Sequence, residues 1–461
     1  MPRIKLLVYL PLPPGSGWRG EGIAQTIESI APMLSTHIAL EILTTAEIRD
    51  QMSPELQARC TFICLQIGSP DRATEWTAAQ AAQICTESTS YFVTRVAEPT
   101  INAIKKLFAT VIYIIQLKLF ITLLNRKLIK RDIDAVWIPS PGIALSEAIR
   151  RPTILSFWDP FVFEYRSFGG VSDAFYAKMM KLCRHASLVL TQSRCNSEFL
   201  TNVLDTPQSL VRVVPNGSPS YTKRTQVSEL NSIESNLHAW SKPVYVGRNK
   251  TAIAAALVKD NINKSILWRL LEKKSFGSIK VALISTQDRP YKGIELFLKV
   301  VEFYNQHYEL PLHCIFTADL QRLLKNKYAH MTDQVYEITR VSNRQHALLY
   351  EIADVAVHPS AVEGGWGAYP QFEAESLGKP SLVHRGRHVE EMCLENKLTT
   401  AEKELISADF NNIPSTSAQL YQLLTDAAYA KENVKCIRKC RRSWADAAKE
   451  YSDAILATVD V

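Results

Sequence analysis

Residues 352–383 read Ile352-Ala-Asp-Val-Ala-Val-His-Pro-Ser-Ala-Val-Glu363-Gly-Gly-Trp-Gly-Ala-Tyr-Pro-Gln-Phe-Glu373-Ala-Glu-Ser-Leu-Gly-Lys-Pro-Ser-Leu-Val383, and this stretch decides the fold. The apolar run Val355–Val357 is a buried-strand signal that Pro359 and Gly364–Gly367 break. Phe372–Leu377 then supplies one or two helical turns before Gly378-Lys-Pro380 stops them. A helix N-terminus therefore faces the glycines. Free backbone N–H groups there, with the positive end of the helix dipole, favour a phosphate or diphosphate. Glu363 and Glu373 stand at the two ends of the turn, where two carboxylates could accept hydrogen bonds from sugar hydroxyls.

Outward from this stretch, strand and helix signals alternate along most of the chain. The first half predicts strands at 4–10, 37–44, 60–66, 135–138, 153–157, 188–190 and 211–214, with a helix near 22–35. The second half predicts strands at 280–285, 312–317, 335–338, 354–358 and 380–384, then helices over 417–460. Such alternation gives parallel sheets with crossover helices. At 461 residues the chain suits two domains rather than one core. Residues 218–275 are longer than a connecting loop and form an insertion or linker of uncertain structure, with a helix signal at 265–274.

Composition excludes several classes. Apolar residues make up 46% and charged residues 21%, a globular rather than a disordered balance. The +7 charge, from 53 basic and 46 acidic residues, is modest for this length and predicts no nucleic-acid partner. Nine scattered cysteines fit a reducing compartment, and neither Cys60/Cys64 nor Cys436/Cys440 has metal-site spacing. The first strand runs straight into prolines with no cleavage site, which is not a signal peptide. A cytoplasmic location is expected. Leu107–Leu124 is apolar enough to weigh as a membrane segment, because only Thr110, Gln116, Lys118 and Thr122 interrupt it. A buried helix of the first domain is the preferred reading. An in-plane membrane helix with Lys105, Lys106, Arg126, Lys127, Lys130 and Arg131 at the headgroups is the second, giving peripheral contact through 101–131, and a true span the third.

The run at 352–383 resembles the donor-site signature of the retaining family 4 glycosyltransferases: Ala-Asp, a short apolar strand, Pro-Ser, Glu-Gly, a glycine turn, Glu-Ala and a Gly-x-Pro stop. The family's usual spacing between its glutamates is seven residues, whereas nine separate Glu363 from Glu373 here. Pro370 keeps its place three before Glu373. The resemblance implies a GT-B fold, two Rossmann-like doubly wound α/β domains facing across a cleft. It places the acceptor-side domain at 1–217, ending at the turn Pro215-Asn216-Gly217. The nucleotide-sugar domain follows at 276–440, and a C-terminal helix at 441–461 crosses back to the first domain. It also implies transfer of a sugar from a nucleotide-diphosphate donor to a hydroxyl of a glycan or lipid-linked acceptor, with retention, no metal and no cofactor.

The resemblance also distributes roles among residues. Diphosphate contacts fall to Gly365, Trp366, Gly367 and Lys292, ribose to Glu373, the donor sugar to Glu363, and the base to the neighbourhood of Arg340 and Val341. Lys292-Gly293 matches the family's cationic segment, while Gln287 holds the usual arginine position and Arg289 lies two residues later. Cations there would neutralise charge that grows on the leaving diphosphate. At 156–161, Trp158 stands where the family often has histidine, and Asp159 either orients an acceptor hydroxyl or caps a turn. Gly17 and Gly20, in Gly15-Ser-Gly17-Trp-Arg-Gly20, would form the N-terminal glycine loop near the donor phosphates.

Two competing readings use the same residues. Gly15–Gly20 also fits the dinucleotide fingerprint of an NAD(P)-dependent oxidoreductase, although prolines at 11, 13 and 14 separate it from the strand and Glu41 falls inside the second strand. A non-catalytic membrane-associated scaffold would rely on Leu107–Leu124 and its basic flanks. Asp132-Ile-Asp134 precedes a strand, away from the other sites, and reads as solvated surface. His358, His384 and His388 read as strand-end and loop residues, and no Gly-x-Ser-x-Gly nucleophile elbow is present.

Overall fold

The computed structural model describes residues 4–10, 22–65, 122, 124–139, 149–158, 173–221, 250–275, 277–287, 289–339, 341 and 343–459. Gly17, Gly20, Asp159, Arg340 and nearly all of 101–124 lie outside them, as does the whole of Gly15–Gly20. The chain forms two compact units, Met1–Gly217 with Ser443–Val461, and Ser218–Arg442. Of the expected insertion or linker at 218–275, the described stretches 218–221 and 250–275 fall in the second unit.

The first unit holds a seven-stranded parallel sheet of β1 (Ile4–Tyr9), β2 (Ile38–Thr45), β3 (Thr61–Leu65), β4 (Ala135–Ile138), β5 (Thr153–Phe157), β6 (Leu188–Thr191) and β7 (Val211–Val213), in the order β3-β2-β1-β4-β5-β6-β7. Successive side chains of a strand point to opposite faces. Leu6 and Val8 of β1 accordingly enter one apolar cluster, Leu7 and Tyr9 another. Burial on both faces is why these strands are mostly apolar instead of strictly alternating. Leu124 and Leu128, one helical turn apart, join the second of these clusters, so this end of the apolar segment packs into the core. Among the described residues no helix is long and apolar enough to cross a membrane. Asp134 caps the sheet, its carboxylate accepting from the Lys5 backbone N–H at 2.7 Å.

The second unit repeats the plan with β8 (Lys280–Ile284), β9 (Leu312–Phe316), β10 (Val335–Glu337), β11 (Val355–His358), β12 (Ser381–His384) and β13 (Ser407–Ala408), ordered β10-β9-β8-β11-β12-β13. Ala282 and Ile284 face one core, Val281 and Leu283 the other. The helices used below are α1 (Gly22–Ile30), α2 (Lys250–Ser275), α3 (Ile294–His307), α4 (Asn343–Ile352), α5 (Tyr369–Ser376), α6 (Arg387–Glu395), α7 (Ala427–Lys439) and α8 (Trp444–Val459). The sequence signal at 265–274 marks only the last part of α2, where Leu267, Leu270 and Leu271 pack onto the second sheet. Lys274 pairs with Asp354 at 2.9 Å, whose other oxygen accepts from the Val281 backbone N–H and so fixes the start of β8. The last helix, α8, sets Ala448, Tyr451 and Ile455 at helical spacing into the core of the first unit.

Candidate active site

In both sheets the strand order reverses between the first and fourth strands, and in open α/β sheets ligands bind beyond the carboxyl ends of the strands at such a switch point. In the second unit that point lies between β8 and β11, which pair directly through Val355 with Ala282 and Ala356 with Leu283. Two loops leave it, 285–293 after β8 and 359–368 after β11. The Ala361 N–H donates to the Tyr291 carbonyl at 3.0 Å, tying one loop to the other. Gly293 adopts φ +67°, and a Cβ there would stand 2.2 Å from the Pro359 carbonyl oxygen. Only glycine admits both this conformation and this approach.

The tied loops bring Lys292 and Glu363 together: the ammonium donates to Glu363 Oε1. His358, the last residue of β11, lies with Nε2 2.7 Å from the same oxygen. All of these bonds use Oε1, and Oε2 carries none among the described residues. Burial alone would raise the pKa of Glu363, yet the charges of Lys292 and His358, with His388 behind them, hold it well below the ordinary carboxylate value. Glu363 is thus an anion with one oxygen anchored. His388, near the start of α6, is 3% exposed, and burial pushes its pKa down to about 3 against the pull of Glu363. Above that value it is neutral beside the Lys292–Glu363 ion pair.

Glu373 occupies a second cluster on the inner face of α5. Its Oε2 accepts from the Tyr350 hydroxyl at 2.7 Å, and its Oε1 lies 3.4 Å from the Tyr221 hydroxyl. That hydroxyl is 2.7 Å from His346 Nδ1, and His346 Nε2 is 2.7 Å from Ser285 Oγ. Ser285 opens the loop that Lys292 closes, so one loop serves both clusters. Glu375, two residues on, is 3% exposed at its side chain and bonds Arg438 and Arg441 at 2.6 Å each. Arg441 also donates to the Pro219 carbonyl at 3.0 Å, clamping α5 to the segments where the chain enters and leaves this unit.

Several expectations need correction. Trp366 is not a ligand-lining side chain: its ring stacks on Phe372 in a hydrophobic cluster and its N–H donates to Glu395 at 2.8 Å, leaving only its backbone for a ligand. Gly367 has φ +72° and its N–H is spent on the His388 carbonyl at 3.2 Å. The N-terminus of α5 is also poorer in donors than expected, since Pro370 has no N–H and that of Gln371 goes to the Ala368 carbonyl at 3.0 Å. Arg289 is exposed and donates to the Tyr291 hydroxyl at 2.8 Å. Val341 packs against the core formed by α2 and α4. Sequence reasoning set His358 and His388 aside as strand-end and loop residues and did not single out His346, Tyr350, Tyr221 or Ser285. Polar residues ending the two switch-point strands, Ser285 and His358, were the signal available; the others come from distant segments.

Neither the family models nor the curated proteins give a sequence match to this chain. Solved structures do match, and they define its class as the GT-B fold of paired Rossmann-like units. One is the sucrose-phosphate synthase of Thermosynechococcus elongatus, 12% identical, with 99% of each chain covered and a TM-score of 0.62. A second is an α,α-trehalose-phosphate synthase (UDP-forming) from Burkholderia xenovorans in complex with glucose-6-phosphate, 11% identical, covering 100% of both chains at a TM-score of 0.57. A third is a glycosyltransferase from Rickettsia africae, 10% identical, covering 99% of this chain and 98% of its own at a TM-score of 0.56. The likeness is one of fold along the whole chain.

Proposed function

We propose that this protein is a glycosyltransferase that moves a sugar from a nucleotide-diphosphate donor to an acceptor hydroxyl, retaining the anomeric configuration. The observation that carries the reading is the convergence of Lys292, Glu363 and His358 at the carboxyl ends of two adjacent strands at a topological switch point. Lys292 faces the donor diphosphate. Its charge stabilises the leaving group as the glycosidic bond breaks, when that stabilisation counts toward rate. Glu363 accepts from a hydroxyl of the donor sugar through Oε2, and Glu373 from the ribose. A retaining reaction in which the leaving phosphate takes the acceptor proton needs no further base and calls on neither metal nor cofactor.

The acceptor in this reading is a glycan or a lipid-linked glycan. A neighbour in fold that is UDP-forming and binds glucose-6-phosphate supports a uridine nucleotide donor and adds sugar phosphates to the acceptors worth testing. We place the activity in the cytoplasm, with 101–131 as the segment for contact with a membrane surface. A screen of UDP- and GDP-sugars with glycan, lipid-linked and sugar-phosphate acceptors, read as free nucleotide released, tests the proposal. Release with one donor, abolished by Glu363→Gln, is the expected result; no release from any pair would refute it.

A further inference from the structure

Glu373 is held unevenly. Tyr350 binds one oxygen at 2.7 Å, while the nearest hydroxyl to the other, that of Tyr221, stands at 3.4 Å, the outer limit of a hydrogen bond. Tyr221 has one proton to give, and His346 Nδ1, at 2.7 Å, is the better placed acceptor. A neutral imidazole donates from one nitrogen and accepts at the other, so Ser285, His346, Tyr221 and Glu373 form a chain with two consistent proton arrangements. In one, Ser285 donates to His346, His346 to Tyr221 and Tyr221 to Glu373. In the other, Tyr221 donates to His346 and His346 to Ser285, whose own proton goes to the Tyr350 oxygen, and Glu373 Oε1 is left to a ligand. The distances favour the second.

We infer that Tyr350, Tyr221 and His346 are positioning residues for nucleotide recognition: they anchor one oxygen of Glu373, reserve the other for the ribose hydroxyls, and couple that state through Ser285 to the loop that carries Lys292. The inference rests on the proposed role of Glu373 at the ribose. Tyr221 is tied on its backbone side as well, its N–H donating to Ser376 Oγ at 2.9 Å while Ser376 donates to the Glu373 carbonyl at 2.7 Å. The aromatic rings enclose the carboxylate, with Tyr221 and Tyr350 centroids 5.9 Å apart and His346 5.2 Å from Tyr350.

Calorimetric titration of the full chain with UDP, GDP and their 2′,3′-dideoxy counterparts tests this. The wild type should prefer the ribonucleotide it binds by roughly tenfold or more, the worth of hydrogen bonds to a charged group. Tyr350→Phe, which frees the anchored oxygen, should lose most of that preference, and Tyr221→Phe, which breaks the link through His346 to Ser285, a smaller part, while affinity for the dideoxy ligand stays within about twofold. Thermal melting establishes that each variant is folded, and Tyr221→Phe, which leaves the Tyr350 bond in place, decides the matter if Tyr350→Phe does not fold. Preference retained in the folded variants, or equal losses for both ligands, would overturn the inference and leave the proposed function standing. Wild-type binding without ribose preference removes Glu373 from the ribose and the inference with it. No binding of either diphosphate overturns the function as well.

Discussion

Glu363 shows how one side chain reads differently alone and in place. In the sequence it is an acid beside glycines; in the fold it is anchored by Lys292 and His358 through one oxygen, with His388 buried behind. Lys292 was legible because Lys-Gly after a strand is a local pattern, whereas His388 lies 25 residues beyond Glu363 and is brought near only by packing. The histidine carries a stability consequence. Its pKa falls from an ordinary value near 6.5 to about 3 on folding, so between these values the unfolded chain binds the extra proton. Stability is therefore complete above about pH 6.5 and falls on acidification, by up to about 1.4 kcal/mol per pH unit for this one proton. His313, His346 and His384, also lowered by burial, act in the same sense, and the depressed Glu363 adds its loss at still lower pH. Urea midpoints of the wild type should drop from pH 7 to pH 4, and His388→Gln should flatten that slope. An equal slope in the variant would show that His388 does not titrate as described.

Among the elements, the strands were the legible part, because β8 and β11 are buried on both faces and so appear as short apolar runs such as Val355–Val357. The glycine turn was misread in its detail. With nine residues between the glutamates, the turn has length enough to send Trp366 inward onto Phe372, so part of it plugs a core where a ligand surface was expected. Helix α2 was half legible: its apolar spacing at 267–271 announces a buried stripe, while nothing periodic marks its beginning at Lys250. The loop after β8 depends on Gly293, whose φ of +67° and contact with Pro359 leave no room for a side chain. Gly293→Ala should cost about 1–3 kcal/mol in stability through backbone strain and separate Lys292 from Glu363. Donor turnover far below wild type in a protein that still melts cooperatively is the expected outcome, and wild-type turnover would contradict it.

At the level of the molecule, the chain leaves the first unit after Gly217 and returns at Ser443, and each unit closes its own core. Within the second unit the Ser218 N–H donates to the Arg442 carbonyl at 2.8 Å, and the Arg442 N–H to Ser218 Oγ at 3.0 Å. Within the first, α8 fills the sheet face with Tyr451, its ring 5.9 Å from Trp137 and fully buried. Tyr451→Ala should destabilise that unit by about 3–5 kcal/mol. Hydrogen exchange should quicken across β1, β2 and α1 while β8 and β11 stay protected; uniform protection would show that α8 contributes little. Two Rossmann-like units could be read from strand–helix alternation, but the partnership of Tyr221 with Glu373 could not, since it joins residues 152 apart. The central claim is that Lys292 sits against the leaving diphosphate. Single-turnover release of nucleotide from the donor that the wild type accepts tests it most directly: Lys292→Ala should slow the chemical step about a hundredfold, the worth of a preorganised charge of roughly 3 kcal/mol. An unchanged rate in the folded variant would contradict it.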